Sequence, residues 1–152
     1  MKESLPDERE ALTHKCTIHG TRDGAAAETD IYITVGFYDD GRIGEIWLTL
    51  SDKTGGTVRA LVDAVSTAVS IGLQHGAPLE AYIEKFARTR FAPAGPTDNP
   101  DIRRATSILD YVFRWLAGRF PGGRSDMVQQ SSMEILGCGC VDECSGHTEG
   151  NC

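Results

Sequence analysis

The apolar residues of this chain change period once, between Leu50 and Val58, and that change limits the folds open to it. Before it, DIYITVGFY (Asp30 to Tyr38) and GEIWLTL (Gly44 to Leu50) are rich in β-branched and aromatic residues and read as strands; Thr13 to His19 alternates more weakly. Asp39-Asp40-Gly41-Arg42 separates the last two runs, and Asp-Gly between strands is hairpin chemistry, so Asp39 and Asp40 read as turn formers rather than as a catalytic carboxylate pair. After the change, Val58, Leu61, Val62, Val65, Val69, Gly72 and Leu73 recur at helical spacing, with Thr57 as N-cap and Gly76 and Pro78 as the stop. A shorter helix is expected over Leu79 to Arg88, with Leu79, Ile83 and Phe86 on one side. A third is expected from about Asp101 to Arg119, with Ile102, Ala105, Leu109, Val112 and Leu116 on one face and Arg103, Arg104 and Arg114 off it.

Strands first and helices afterwards predict an α+β fold, a three-stranded antiparallel meander followed by about three helices packed on one sheet face. The chain divides into an N-terminal tail (1–11), the folded domain (12–120), a Gly-, Ser- and Gln-rich flexible linker (121–136) and a Cys-rich tail (137–152). With 152 residues, 40% of them hydrophobic, there is material for one core.

Charge is distributed in blocks. Residues 1–84 carry 7 basic and 14 acidic groups, residues 85–124 carry 8 and 3, and residues 125–152 carry none and 5. A net charge of −7 argues against non-specific nucleic-acid binding, which comes from neutralising phosphates. The opening MKESLPDEREALTHK has charges where a signal peptide needs an apolar run, and no stretch reads as a membrane span of about 18 apolar residues, so a cytoplasmic protein without membrane contact is expected. Within the basic block, Arg88, Arg90, Arg103 and Arg104 are candidates for phosphate or partner docking through bidentate guanidinium bonds; a solvated helix face is the plainer alternative. Arg114 stands four residues after Asp110, the spacing of a helical ion pair.

Four of the five cysteines, Cys138, Cys140, Cys144 and Cys152, fall in the last fifteen residues as C-x-C-x3-C-x7-C, with His147 inside the last interval. Four Cys or His ligands suffice for tetrahedral zinc, although the usual C-x2-C pair is missing. A redox relay is the second reading, but Asp142, Glu143 and Glu149 raise thiol pKa values and the tail has no Lys or Arg to lower them, so free thiols there are mostly protonated at neutral pH. An inert tail is the third, and the residues leave all three open. A flexible linker of some fifteen residues would span about 20 Å, enough to visit a partner. Cys16, in a strand, reads as a small buried apolar residue. Lys53-Thr54-Gly55-Gly56-Thr57 lacks the order of a phosphate loop and reads as a turn before a helix. His75 reads as a helix C-terminal residue, and His14 and His19 show no ligand spacing.

Four ordered segments, YDDGRIGEI (Tyr38 to Ile46), the S-x-x-L-Q-x-G-x-P-L-E run (Ser70 to Glu80), RFAPAGPT (Arg90 to Thr97) and SILDYVFRWL (Ser107 to Leu116), resemble the TSCPD domain, the similarity covering roughly Leu5 to Phe120. That domain is found at the C-terminal end of long adenosylcobalamin-dependent (class II) ribonucleotide reductases, and in some bacteria on a separate small subunit. The resemblance implies an accessory domain or small subunit that supports reduction of ribonucleotides to deoxyribonucleotides for DNA synthesis. It implies adenosylcobalamin in a catalytic partner chain, a thioredoxin-like reductant, and a Cys tail that relays reducing equivalents. The family's reductases end in a pattern like G-C-x-x-C-x-x-C-G, whereas Gly137-Cys138-Gly139-Cys140 and Cys144-Ser145-Gly146 keep its composition but not its spacing. No catalytic residue and no bound cofactor is expected within this chain, which lacks room for the family's radical barrel. The alternative is a stand-alone regulatory module that binds a nucleotide or a protein and holds zinc in its tail.

Overall fold

The computed structural model describes residues 1–125 apart from 23, 52 and 53. Three strands, β1 (Ala11–Arg22), β2 (Ala25–Phe37) and β3 (Ile43–Leu50), pair antiparallel in the order β1-β2-β3. The register aligns Cys16 with Ile31 and Leu50, His14 with Ile33 and Leu48, and Leu12 with Val35 and Ile46. Because side chains alternate, these residues share one face, and Ile31, Ile33, Val35, Ile46, Leu48 and Leu50 are buried there. The other face carries Thr13, Lys15, Tyr32, Thr34, Trp47 and Thr49, with Tyr32 38% and Trp47 48% exposed. The β2–β3 turn is set by Gly41 at φ +82, whose N–H donates to the Tyr38 carbonyl, and by Asp40, whose carboxylate accepts from the Arg42 N–H.

Helix α1 (Gly56–Gln74) buries Val62, Ser66, Val69, Ser70 and Leu73 and packs on β3. Ser70 ties it there: its hydroxyl accepts from the Ile46 N–H at 2.9 Å and donates to the Ile46 carbonyl at 3.1 Å. Its N-cap is Gly55, in extended conformation and without a side-chain cap, so Thr57 lies inside the helix and not at its cap. The stop is the expected one. Gly76 at φ +89 gives its N–H to Leu73 and Ala77 gives its own to Gly72, a Schellman closure. By length and a mean hydropathy of 1.2, α1 is also long and apolar enough to cross a membrane, yet here its buried stripe covers the sheet.

Helix α2 (Leu79–Phe86) ends two residues before Arg88, because Arg88 takes φ +71. The third helix departs further from expectation. Residues 101–106 are not helical: Arg104–Ala105 forms strand β5 against β4 (Gly95–Pro96), and α3 spans only Ile108–Arg119. Asn99 and Thr97 hold the preceding turn, Asn99 Oδ1 accepting from the Asp101 N–H and the Thr97 hydroxyl donating to the Ile102 carbonyl. Local polar side chains thus offered the backbone a better set of partners than an extra helical turn. Ser107 then caps α3 by accepting from the Asp110 N–H. Ile102 and Ala105 are buried as their spacing suggested, but from a loop and a strand. Ile108, Tyr111, Val112, Phe113 and Leu116 are all buried, which places α3 between the sheet and α2, with Phe86 stacked on Phe113 at 5.1 Å.

The stretch 1–10 forms no element but is bonded to the fold: Arg42 makes two bonds to Glu3, Tyr38 donates to the Glu3 carbonyl and Arg9 pairs with Glu45 at 2.6 Å. After α3, a 3-10 turn (Pro121–Gly123) leads to Ser125, whose N–H donates to the Gly41 carbonyl.

Strand β4 closes on β1 so tightly that a Cβ at Gly95 would lie 2.1 Å from the His19 carbonyl oxygen. Gly95→Ala is expected to cost about 1–3 kcal/mol in urea unfolding, since rigid backbone must move to admit one methyl.

Candidate functional site

The arginines singled out by sequence lie on two segments that a single carboxylate draws together. Asp110, 1% exposed, accepts from the Arg88 N–H at 2.7 Å, the Thr106 N–H at 3.0 Å and Arg114 Nη1 at 3.2 Å. The Arg114 guanidinium also donates to the Arg104 carbonyl, and the Phe91 N–H donates to the Thr106 carbonyl. Residues 88–91 and 104–107 therefore run side by side at the start of α3. Burial alone would raise the Asp110 carboxyl, but the two backbone N–H groups and the Arg114 charge outweigh it and hold it below the ordinary value, so it stays ionised. The Arg114 and Asp110 pair is the one expected from their spacing.

Arg88, Arg90, Arg103 and Arg104 are all exposed, and none of their guanidiniums has an ion-pair partner among the described residues. Arg103 and Arg104 stand in the β4–β5 hairpin and not on a helix face. This array of unpaired cations around a neutralised centre suits an anionic surface or ligand.

A second site escaped sequence reasoning. A cleft of about 860 Å³ lies between β1, the loop 98–102 and the C-terminal half of α3. His14 projects into it, stacked on Trp115 with ring centroids 4.6 Å apart and bonded through Nε2 to the Tyr111 hydroxyl at 2.8 Å. Asn99 Nδ2 donates to the same hydroxyl at 2.9 Å, and a neutral imidazole can accept the Tyr111 proton at Nε2. Burial lowers the His14 pKa, in keeping with that arrangement. Cys16, two residues on, is 1% exposed with Sγ 3.6 Å from Asp98 Oδ1, and burial pushes its thiol up to about 11. Such a thiol is no nucleophile at neutral pH, as its reading as an apolar core residue anticipated. Only the i, i+2 spacing of His14 and Cys16 on an inward strand face could have signalled this cluster; the hydrogen-bond partners Asp98 and Tyr111 are 82 and 97 residues away along the chain.

Among the described residues no group of three or more His, Cys, Asp and Glu could hold a metal. The four tail positions proposed for metal or redox work, Cys138, Cys140, Cys144 and Cys152, lie outside the described residues, as do residues 126–136 of the expected linker.

An antiparallel meander followed by three helices, with four exposed arginines before α3, defines an α+β module. Residues 2–119 match the TSCPD domain model, and the chain belongs to that family. It is 46% identical over 122 residues to a vitamin B12-dependent ribonucleotide reductase of Rhodopirellula baltica, covering 80% of this chain and 11% of that protein. It is 41% identical over 155 residues to the reductase of that name from Bradyrhizobium diazoefficiens (99% and 12%) and 39% over 149 residues to that of Streptomyces coelicolor (98% and 14%). The chain thus spans only 11–14% of the length of these relatives. No solved structure matches it.

Two outcomes follow from the buried polar groups. Asp110→Asn replaces an acceptor of three donors with a group that itself carries donors, and is expected to cost about 2–3 kcal/mol in urea unfolding. His14, whose folded pKa is lowered, binds a proton more readily when unfolded, so its stabilisation is complete above the unfolded value near ~6.5 and falls as pH drops below it. Unfolding free energies measured from pH 7.5 to 5 should fall less steeply for His14→Gln than for the parent chain.

Proposed function

We propose that this chain is an accessory part of an adenosylcobalamin-dependent ribonucleotide reductase, either the end of a long enzyme or its separate small subunit, supporting reduction of ribonucleotides to deoxyribonucleotides for DNA synthesis. The observation that carries this is identity of 41% over 99% of the chain to a protein named as such a reductase, of which it spans 12%. The rest of that enzyme houses the chemistry. The cleft beside His14 does not fit the cobalamin itself, because about 860 Å³ is of the size that holds drug-like ligands and its one imidazole is committed to Tyr111 and Trp115. The exposed guanidiniums of Arg88, Arg90, Arg103 and Arg104 dock the acidic surface of the catalytic body, and the tail cysteines carry electron pairs from a thioredoxin-like dithiol to it by thiol–disulfide exchange. The cell compartment consistent with this role is the cytoplasm.

The test is reconstitution with the catalytic portion of a relative that lacks its own TSCPD segment. The full chain is expected to bind it and raise deoxyribonucleotide formation. A fourfold Arg→Glu variant at 88, 90, 103 and 104 should bind at least about tenfold more weakly, a loss of about 1.4 kcal/mol, and more so at low salt. Serine at all four tail cysteines should leave binding intact while lowering turnover with the protein reductant. No binding and no gain in activity would sink the proposal. Those same unpaired arginines favour the second reading, a regulatory nucleotide-binding module with a zinc-holding tail. In that case calorimetry would show heat with a nucleotide and none with the catalytic portion.

A further inference from the structure

Helix α1 carries apolar residues on two opposite sides, and among the described residues only one side is covered. Of its 19 residues two are charged, Arg59 and Asp63, and the stripe from Val62 to Leu73 is buried where the helix packs on β3. On the opposite side Thr57, Leu61, Ala64, Ala68 and Ile71, with His75 at the C-cap, are all exposed, Leu61 by 62% and Ile71 by 50%. These positions recur at intervals of 4, 3, 4, 3 and 4 residues, which on a helix turning about 100° per residue keeps them within about 80° of arc. That is the seam of a two-helix contact, and no Lys, Arg, Asp or Glu interrupts it. A helix with apolar residues on opposite sides belongs between two layers, and the sheet supplies only one of them.

We propose that this face is covered by the same face of a second copy of the chain, two α1 helices packing antiparallel across a two-fold axis. The order of the seam selects that occupant. Read from either end it runs polar, large, alanine, alanine, large, polar, so reversal sets Leu61 against Ile71, Ala64 against Ala68 and Thr57 against His75 of the second copy. A two-fold axis demands this reciprocity, residue i meeting j while j meets i. The central alanines let the helices approach, the contacts of Leu61 with Ile71 bracket them, and opposed helix dipoles favour the antiparallel sense. Charge permits the contact too. Arg59 and Asp63 lie at least about 120° around the helix from the midline of the seam, and Arg59 donates to the Ser51 carbonyl, so the seam takes no charge out of water. A strip about 27 Å long and about 10 Å wide gives each copy roughly 270 Å² of contact, below the about 800 Å² per partner of a lasting complex, so dilution dissolves the pair. The net charge of −7 on each copy opposes association at long range, and salt therefore strengthens it, the reverse of what salt does to docking by the exposed arginines. The inference does not depend on the reductase reading.

Analytical sedimentation of the full chain, under reductant so that no disulfide links the copies, tests it. From about 10 µM to about 1 mM the mean mass should climb from one chain towards two, and should climb at lower concentration as salt is raised. Leu61→Glu and Ile71→Lys should each weaken association at least about tenfold, and the double variant should recover most of the loss, because the two-fold register sets each introduced acid against an introduced base. Both positions are exposed, so the unfolding midpoints should stay at the parent value; Ala64→Glu, at the centre of the seam, serves in place of a single variant that does not fold. A mass of one chain at every concentration overturns the proposal. So does association that the single variants leave intact, or a double variant no better than either single one. A single-chain mass together with co-sedimentation on phosphatidylcholine vesicles overturns it in favour of a lipid surface.

Discussion

The arrangement of α2, the β4–β5 hairpin and α3 depends on one ionised carboxylate. Asp110 sits at the first turn of α3 with three donors on it, from Arg88, Thr106 and Arg114. An anion at a helix N-terminus is favourable, and here it also supplies partners for backbone N–H groups that would otherwise be stranded in a non-helical stretch. It lets Arg88 keep a left-handed backbone, ends α2, and aligns the segment after α2 with the β4–β5 hairpin. Ser107 completes the arrangement by capping the helix that carries Asp110. The exposed arginines owe their grouping to this buried charge rather than to any attraction among themselves, since like charges repel.

On the other side of α3 the same helix meets the sheet through aromatic and polar contacts. His14, Tyr111 and Trp115 form a stack, while Asp98 ties the hairpin loop to β1 through the Thr17 N–H and Asn99 ties it to Tyr111 of α3. The neutral imidazole, the protonated thiol of Cys16 and the hydroxyl of Tyr111, whose pKa burial raises, are consistent with a network that holds elements in place and stays uncharged. The relatives devote most of their length to other parts. Among the described residues, one face of the sheet and the guanidiniums of Arg88, Arg90, Arg103 and Arg104 are exposed.

Much of the fold was legible in the residues. Two-residue alternation in Asp30 to Tyr38 and Gly44 to Leu50, the Asp40-Gly41 turn, and the 3.6-residue period from Val58 to Leu73 each leave a local mark, because a half-buried strand or helix must repeat its apolar side chains at its own pitch. The start of α3 was not legible. Ile102 and Ala105 continue its apolar spacing, and only the competition from Asn99, Thr97 and Ser107 side chains removes residues 101–106 from the helix. Arg103 and Arg104 were placed on a helix instead of the β4–β5 hairpin, and the cleft was missed, since His14 and Cys16 meet partners that no spacing connects.

By itself, then, the sequence determined the meander, the existence of three helices, the Arg114 and Asp110 pair, and membership of a family, all of which rest on local period or on ordered motifs. Only the tertiary structure decided which loop amides Asp110 would collect and that His14 would stack on Trp115 and bond Tyr111. Those depend on distances between segments far apart along the chain, and such distances are set when α3 is buried between the sheet and α2.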